Sequence, residues 1–169
     1  MRTSWIPLCL IAASIASTGY AQQHDTTFTP AEVQVMNKLH AANVKEIAAG
    51  KYAASHARSD VVKRYGEELQ EHHSQADTKL QALASRAGVK LSEPPPNVDS
   101  KNLKKEANPA TFDRPFLIQM INAHDEALHQ VHEAQSTAVN PELQTMLKNE
   151  QPALQHHRDQ AARLLENTL

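Results

Sequence analysis

The sequence predicts an all-α four-helix bundle with a long linker between its second and third helices. Three observations carry that expectation. The composition favours helix over strand: Ala, Leu, Glu, Gln and Lys are plentiful, only 4% of residues are aromatic, and there are 4 glycines. Four segments of similar length place apolar residues at helical spacing, three of them behind clear capping signals. A proline-rich stretch with no helical pattern separates the second segment from the third.

The chain opens on MRTSWIPLCLIAASIASTGYAQQ, with Arg2, an apolar run, and small residues ending at Gly19-Tyr20-Ala21. This is the pattern of a secretory signal peptide cleaved after Ala21. A membrane anchor fits less well, because the apolar run is shorter than the ~20 residues that span a bilayer and Pro7 interrupts it. Residues 1–21 are therefore expected to be removed on export to the periplasm. Residues 22–169 are expected to form one domain with no transmembrane segment. Cys9, the only cysteine, leaves with the signal. The mature chain then has no disulfide, thiolate nucleophile or cysteine-based metal site.

The first helix is expected from Thr29-Pro30-Ala31-Glu32 to about His56. Thr29 and Glu32 have the spacing of a capping box, and Pro30 suits the first turn. Phe28 and Val33 are placed to staple the entry. Ser59-Asp60 opens the second helix, which runs to Ala87 with Gly88 as a left-handed cap. The linker VKLSEPPPNVDSKNLKKEANPAT follows, with a short helix expected over 98–106. The third helix starts near Asp113, tolerates Pro115 in its first turn and ends around Ala138. Asn140-Pro141-Glu142 opens the fourth, in which Pro152 should kink the chain before His157. At ~3.3 Å per residue the linker reaches ~70 Å, against ~40 Å for a helix of ~27 residues. It can cross the bundle's full length, which permits ferritin-like connectivity; a simple up-down bundle stays open.

The 10 histidines are the compositional oddity. In the second helix the inward seam reads Val62, Gly66, Leu69, His73, Ala76, Leu80, Leu83, Ala87, with His73 in its middle. His72 falls beside it, toward solvent or a helix boundary. The third helix reads Leu117, Ile121, His124, Leu128, Val131. The fourth reads Leu143, Leu147, Glu150, Leu154, His157, Ala161, Leu164. In the first, Val35, Leu39, Ala42, Glu46, Ala49 and Ala53 compete with a face through Met36, Asn43 and Ile47. Counted from the two hairpin turns, Glu46 pairs in height with His73, and His124 with His157. Glu46, His73, His124 and His157 are thus the candidate metal ligands, one from each helix. His40, His56, His72, His129, His132 and His156 are expected to be solvated.

These residues carry a resemblance. The segments NVKEIAAGKYA, LQEHHSQAD, FDRPFLIQMINAHDEAL and QPALQHHRDQA resemble those of domain of unknown function 4142, a family of bacterial secreted helical proteins. The likeness covers residues 28–167 and implies a ferritin-like four-helix bundle whose activity is not established. Carried over residue by residue, it points to Glu46, His73, His124 and His157. The family often has Tyr where Phe116 stands and Leu where Gln151 stands.

Three imidazoles and one carboxylate suit a transition metal such as iron, manganese or zinc. A dinuclear carboxylate site needs Glu-x-x-His, but Gln70 and Leu154 stand three residues before His73 and His157. Only Glu150 or Asp77 would supply a further carboxylate. The other reading is a buried hydrogen-bond network with no metal, in a non-enzymatic interaction or stress-related bundle. The net charge of -2, from 17 basic and 19 acidic residues, gives no footprint for nucleic acid. No phosphate loop, nucleophile elbow or His-Glu-x-x-His is present. A homo-oligomer stays open, and no specific partner is indicated.

Overall fold

The structure, a computed structural model, describes residues 27–94 and 111–167. The expected signal peptide and the short helix over 98–106 lie outside the described residues. Four helices are present among the described residues: α1 (Pro30–His56), α2 (Asp60–Arg86), α3 (Asp113–Thr137) and α4 (Pro141–Glu166). They form an all-α four-helix bundle with α1 packed on α2 and α3 on α4. Among the described residues, no helix is long and apolar enough to cross a membrane.

The helix starts follow the capping chemistry. Thr29 accepts from Glu32 N at 3.2 Å, and Glu32 Oε2 accepts from Thr29 N at 2.8 Å, which completes the capping box. The other carboxylate oxygen of Glu32 accepts from Val139 N at 2.9 Å and Asn140 N at 2.7 Å. One buried side chain thus ties the start of α1 to the α3–α4 turn. Burial alone would raise the Glu32 pKa, but its hydrogen bonds to Asn140, Thr29 and Val139 hold it below the ordinary carboxylate value. Asn140 caps α4 by accepting from Glu142 N and Leu143 N. Gly88, at φ 68, ends α2. There Val89 N reaches Ala84 O at 2.9 Å and Gly88 N reaches Ser85 O at 3.0 Å, a Schellman motif. Ser59 makes no side-chain cap to α2. Instead, Asp113 at the start of α3 accepts from Arg58 N and Ser59 N, both at 2.8 Å.

These ties settle the connectivity. Asp113 places the start of α3 at the α1–α2 turn, and Glu32 places the α3–α4 turn at the start of α1. α2 therefore ends at the opposite end of the bundle from where α3 begins. Arg86, in its last turn, meets Glu142 at the start of α4 at 2.6 Å. The end of α2 and the start of α3 thus lie at opposite ends of the bundle, the order of a crossover bundle and not of a simple up-down one.

The core is two apolar clusters with polar side chains between them. Near the α1–α2 turn lie Ala53, Val62, Tyr65, Leu69, Phe116 and Leu117, among others. Toward the α3–α4 turn lie Met36, Leu80, Leu83, Val131, Leu143 and Leu147, among others. Each large apolar side chain so buried contributes about 1.5–3 kcal/mol. α1 and α2 approach closely at Gly50 and Gly66: a Cβ on Gly66 would lie 2.7 Å from Gly50 O and 2.8 Å from Ala54 N. Only residues without a side chain allow this crossing.

The α2 seam follows the sequence pattern from Val62 to Leu83, with Tyr65, Asp77 and Ala84 buried as well. In α1 the two competing faces share the interior: Met36 is buried with Glu46, Ala49, Gly50 and Ala53, while Val35 and Leu39 are half-buried. α4 continues unbroken through Pro152.

Candidate metal centre

Between the two apolar clusters, His73, His124 and His157 come together. Each is almost fully buried, at 5%, 1% and 1% exposure. One nitrogen from each ring lies within 4.8 Å of the others. The positioning follows the helix period. On α2, His73 sits one turn from Leu69; on α3, His124 sits one turn from Met120; on α4, His157 sits one turn from Ala161. All of these neighbours are buried. Packing on either side fixes the height of each ring.

The hydrogen bonds assign the protons. His124 Nδ1 lies 2.8 Å from Met120 O, an atom that only accepts, so Nδ1 carries the proton and Nε2 the lone pair. That Nε2 faces His157 Nδ1 at 3.3 Å. His73 Nδ1 donates to Asn43 Oδ1 at 3.0 Å. Its Nε2 is then a lone pair, and it is buried without a partner. His157 Nε2 meets His72 Nδ1 at 2.8 Å. His124 and His157 are therefore each held through one nitrogen and turn the other toward one another, while His73 is held through Nδ1 and keeps Nε2 unpartnered.

Electrostatics keep these rings neutral. Burial pulls the His73 pKa down to about 3, with the neighbouring His124 and His72 adding to the shift. Burial likewise lowers His124. For His157, burial and then the surrounding imidazoles push the value down to about 2. A neutral imidazole is the form that binds a metal ion.

Glu46 is buried at 7% exposure. Its Oε2 has no hydrogen-bond partner. Burial raises its pKa to about 7, against a small lowering by Lys45. It does not belong to the close group of three rings. It lines, with His73 and His124, a cavity of about 200 Å³ whose other walls include Leu39, Leu80, Ala127, Val131 and Leu147. The four candidate residues are thus arranged as three converging imidazoles beside a carboxyl in the adjoining cavity wall. Glu150 lines the same cavity but joins no close group, and Asp77 is engaged by His40 Nδ1 and Gln81 Nε2, each at 2.6 Å. No second carboxylate completes a dinuclear set among the described residues.

Of the histidines expected to be solvated, one is drawn inward, and His72 takes the helix-boundary alternative. His40 is drawn inward by Asp77, at 12% side-chain exposure. His72 stands at the α2–α4 boundary and hydrogen-bonds His157. His156, His129, His56 and His132 are exposed, as expected. Tyr65 was missed as well: its hydroxyl donates to His157 O at 3.1 Å, holding α4 against α2 next to the cluster. A helical wheel places Tyr65 and His72 at the edge of the seam, where period alone does not decide orientation.

A family model for domain of unknown function 4142 matches residues 17–164, most of the chain. The chain belongs to the DUF4142 family. Comparison with curated proteins and with solved structures finds no match for this DUF4142 protein. The family assignment brings no activity with it, so the chemistry of the site has to be argued from its atoms.

Proposed function

We propose that this protein is an exported helical bundle that binds one transition-metal ion through His73, His124 and His157. One observation carries this reading: three buried neutral rings bring one nitrogen each within 4.8 Å of the others, and each ring has a nitrogen tied to a partner. Ligating histidines characteristically show that arrangement, because the tied nitrogen fixes tautomer and ring orientation. Asn43 Oδ1 and Met120 O serve His73 and His124 directly. His72 serves His157 once His157 Nε2 is the donor.

Three imidazoles suit zinc, iron or manganese and leave a coordination position open. Glu46 lines the cavity beside the rings together with His73 and His124. The open position and the apolar cavity together favour a site that meets a small molecule over a closed structural one.

A purely structural network explains the site less well. Such a network satisfies its own members, yet His73 Nε2 and Glu46 Oε2 have no partner. Leaving a buried polar group unpaired costs about 1–3 kcal/mol. An ion at the three nitrogens removes that cost at His73. The test is elemental analysis of the untagged protein, alone and after incubation with zinc, iron(II) or manganese(II). One equivalent of metal that survives desalting in wild type, and is lost on desalting in His124→Ala, is expected. Metal-free wild type whose melting temperature none of the three ions moves would end the reading. Export follows from the signal pattern at residues 1–21. Sequencing the N-terminus of the periplasmic protein checks it, with Gln22 expected first.

A further inference from the structure

His157 has chemistry on both sides. Its Nδ1 faces inward to His124, and its Nε2 faces outward to His72. The outer side is a built group. Glu68 and His72 are one turn apart on α2, and His156 and Gln160 are one turn apart on the facing side of α4. Glu68 accepts from His156 Nε2 at 3.1 Å and from Gln160 Nε2 at 2.9 Å. Donor atoms of Glu68, His72 and His157 lie within 4.8 Å of one another. Unlike the inner rings, this group reaches solvent: the Glu68 side chain is 28% exposed and that of His156 is 53% exposed. A pocket of about 170 Å³ on the same α2–α4 face is lined by His72, His73 and His157, with Lys79 and Glu150 around it.

We propose that Glu68, His72 and His157 form an outer site for a divalent transition-metal ion, from which the ion passes to the inner site. The proposal rests on reading His73, His124 and His157 as that inner site. The physical reason is that a neutral imidazole has one lone pair. With the ion outside, His157 Nε2 is the ligand, and Nδ1 holds the proton and donates to His124 Nε2. With the ion inside, Nδ1 is the ligand, and Nε2 holds the proton and donates to His72 Nδ1. The passage moves one proton off Nδ1 to solvent and takes one from solvent onto Nε2, so charge balances. His157 serves one side at a time, and the two sites are alternatives rather than a dinuclear pair. Glu68 supplies the negative charge that first captures the cation. A carboxylate has about four lone-pair sites, so Glu68 keeps its bonds to His156 and Gln160 while doing so.

Stopped-flow loading with cobalt(II), read by its visible absorption in the untagged protein, tests this. Wild type should show a fast concentration-dependent phase and then a slower concentration-independent one. Glu68→Gln should lose the fast phase and load at least about tenfold more slowly, with the same final spectrum and stoichiometry. Glu71→Gln, an exposed acid on the same helix, should load like wild type and so controls for bulk charge. His124→Ala should stop after the fast phase. His73→Asn gives a second variant of the inner site, and circular dichroism checks that each is folded. If Glu68→Gln loads as fast as wild type, the outer site is overturned. If Glu68→Gln abolishes binding while His124→Ala and His73→Asn keep the wild-type spectrum, the inner reading fails and the outer site stands.

Discussion

Lowering the pH from 7 to 5 should destabilise the metal-free protein by an amount the site predicts. His73 and His157 have folded-state values of about 3 and about 2, against 6.5 when unfolded. A base whose folded pKa is depressed favours the unfolded chain as pH falls, because the unfolded state takes up the proton first. The loss begins near pH 6.5 and continues toward the folded values. At pH 5 each ring costs RT ln(1 + 10^1.5), about 2 kcal/mol, so the two together cost about 4 kcal/mol. His124 is depressed as well and adds in the same direction. Glu46 opposes them. Its folded value is about 7 against 4.5 unfolded, so its contribution is present at low pH and is lost as pH rises through 7. Between pH 7 and 5 it returns about 2 kcal/mol. The net loss is then about 2 kcal/mol plus the share of His124, a large part of the 5–15 kcal/mol typical of a domain. Urea unfolding at pH 7 and pH 5 in excess chelator measures it. Glu46→Gln should enlarge the acid loss by removing the opposing group. Equal stability at the two pH values in wild type would mean that the rings protonate freely inside the fold, and the site as described would be wrong.

Other consequences are structural. Glu32→Ala leaves the backbone N–H groups of Thr29, Val139 and Asn140 without their acceptor. It should cost about 3 kcal/mol or more in chemical unfolding. Gly66→Ala adds a Cβ 2.7 Å from a carbonyl oxygen of α1. The better helix propensity of alanine, worth about 1 kcal/mol, should not offset the forced separation of two helices. A net loss of about 1–3 kcal/mol is expected by thermal unfolding. Gly88→Ala meets nothing within 4 Å but keeps φ 68, so it should cost only about 1–2 kcal/mol of backbone strain.

The helices were legible because their punctuation is local. Thr29 with Glu32, Asn140 with Pro141, and Gly88 each act within a few residues, so sequence order contains the whole interaction. The α2 seam was legible because His73 interrupts a long apolar stripe. What was hidden is long-range and polar. Glu32 looks like an ordinary capping-box residue, yet its second oxygen serves a turn more than a hundred positions away. Asp77 and His40 bury each other across two helices, which periodicity cannot register. The inward face of α1 was ambiguous because Met36, Asn43 and Ile47 define a second stripe beside the one through Val35, Leu39 and Ala42. The Gly50–Gly66 crossing settles it by bringing the backbones of α1 and α2 together. All four candidate ligands were placed by period and height, and the structure draws the three rings together. Glu46 shares their burial, but its helix sets it in the cavity wall.

The two readings of the histidines make opposite statements about His73→Leu. If the ring is there for packing and hydrogen bonding, leucine removes the bond to Asn43 at 3.0 Å and should destabilise the protein. If the ring is there for an ion, the metal-free protein already bears the cost of an unpaired buried Nε2. Leucine then removes a strained polar group from between two apolar clusters and replaces it with a side chain of similar size. Half-buried Asn43 can turn its amide to water. Replacing buried polar groups with well-packed apolar ones is often neutral or stabilising by about 1–4 kcal/mol. The expected result is a metal-free variant at least as stable as wild type that gains nothing from zinc. Wild type should gain about 2.7 kcal/mol at a hundredfold excess over its dissociation constant. Such an exchange of stability for a binding group is the pattern of a functional site. A His73→Leu protein that melts well below metal-free wild type would return the cluster to a packing role.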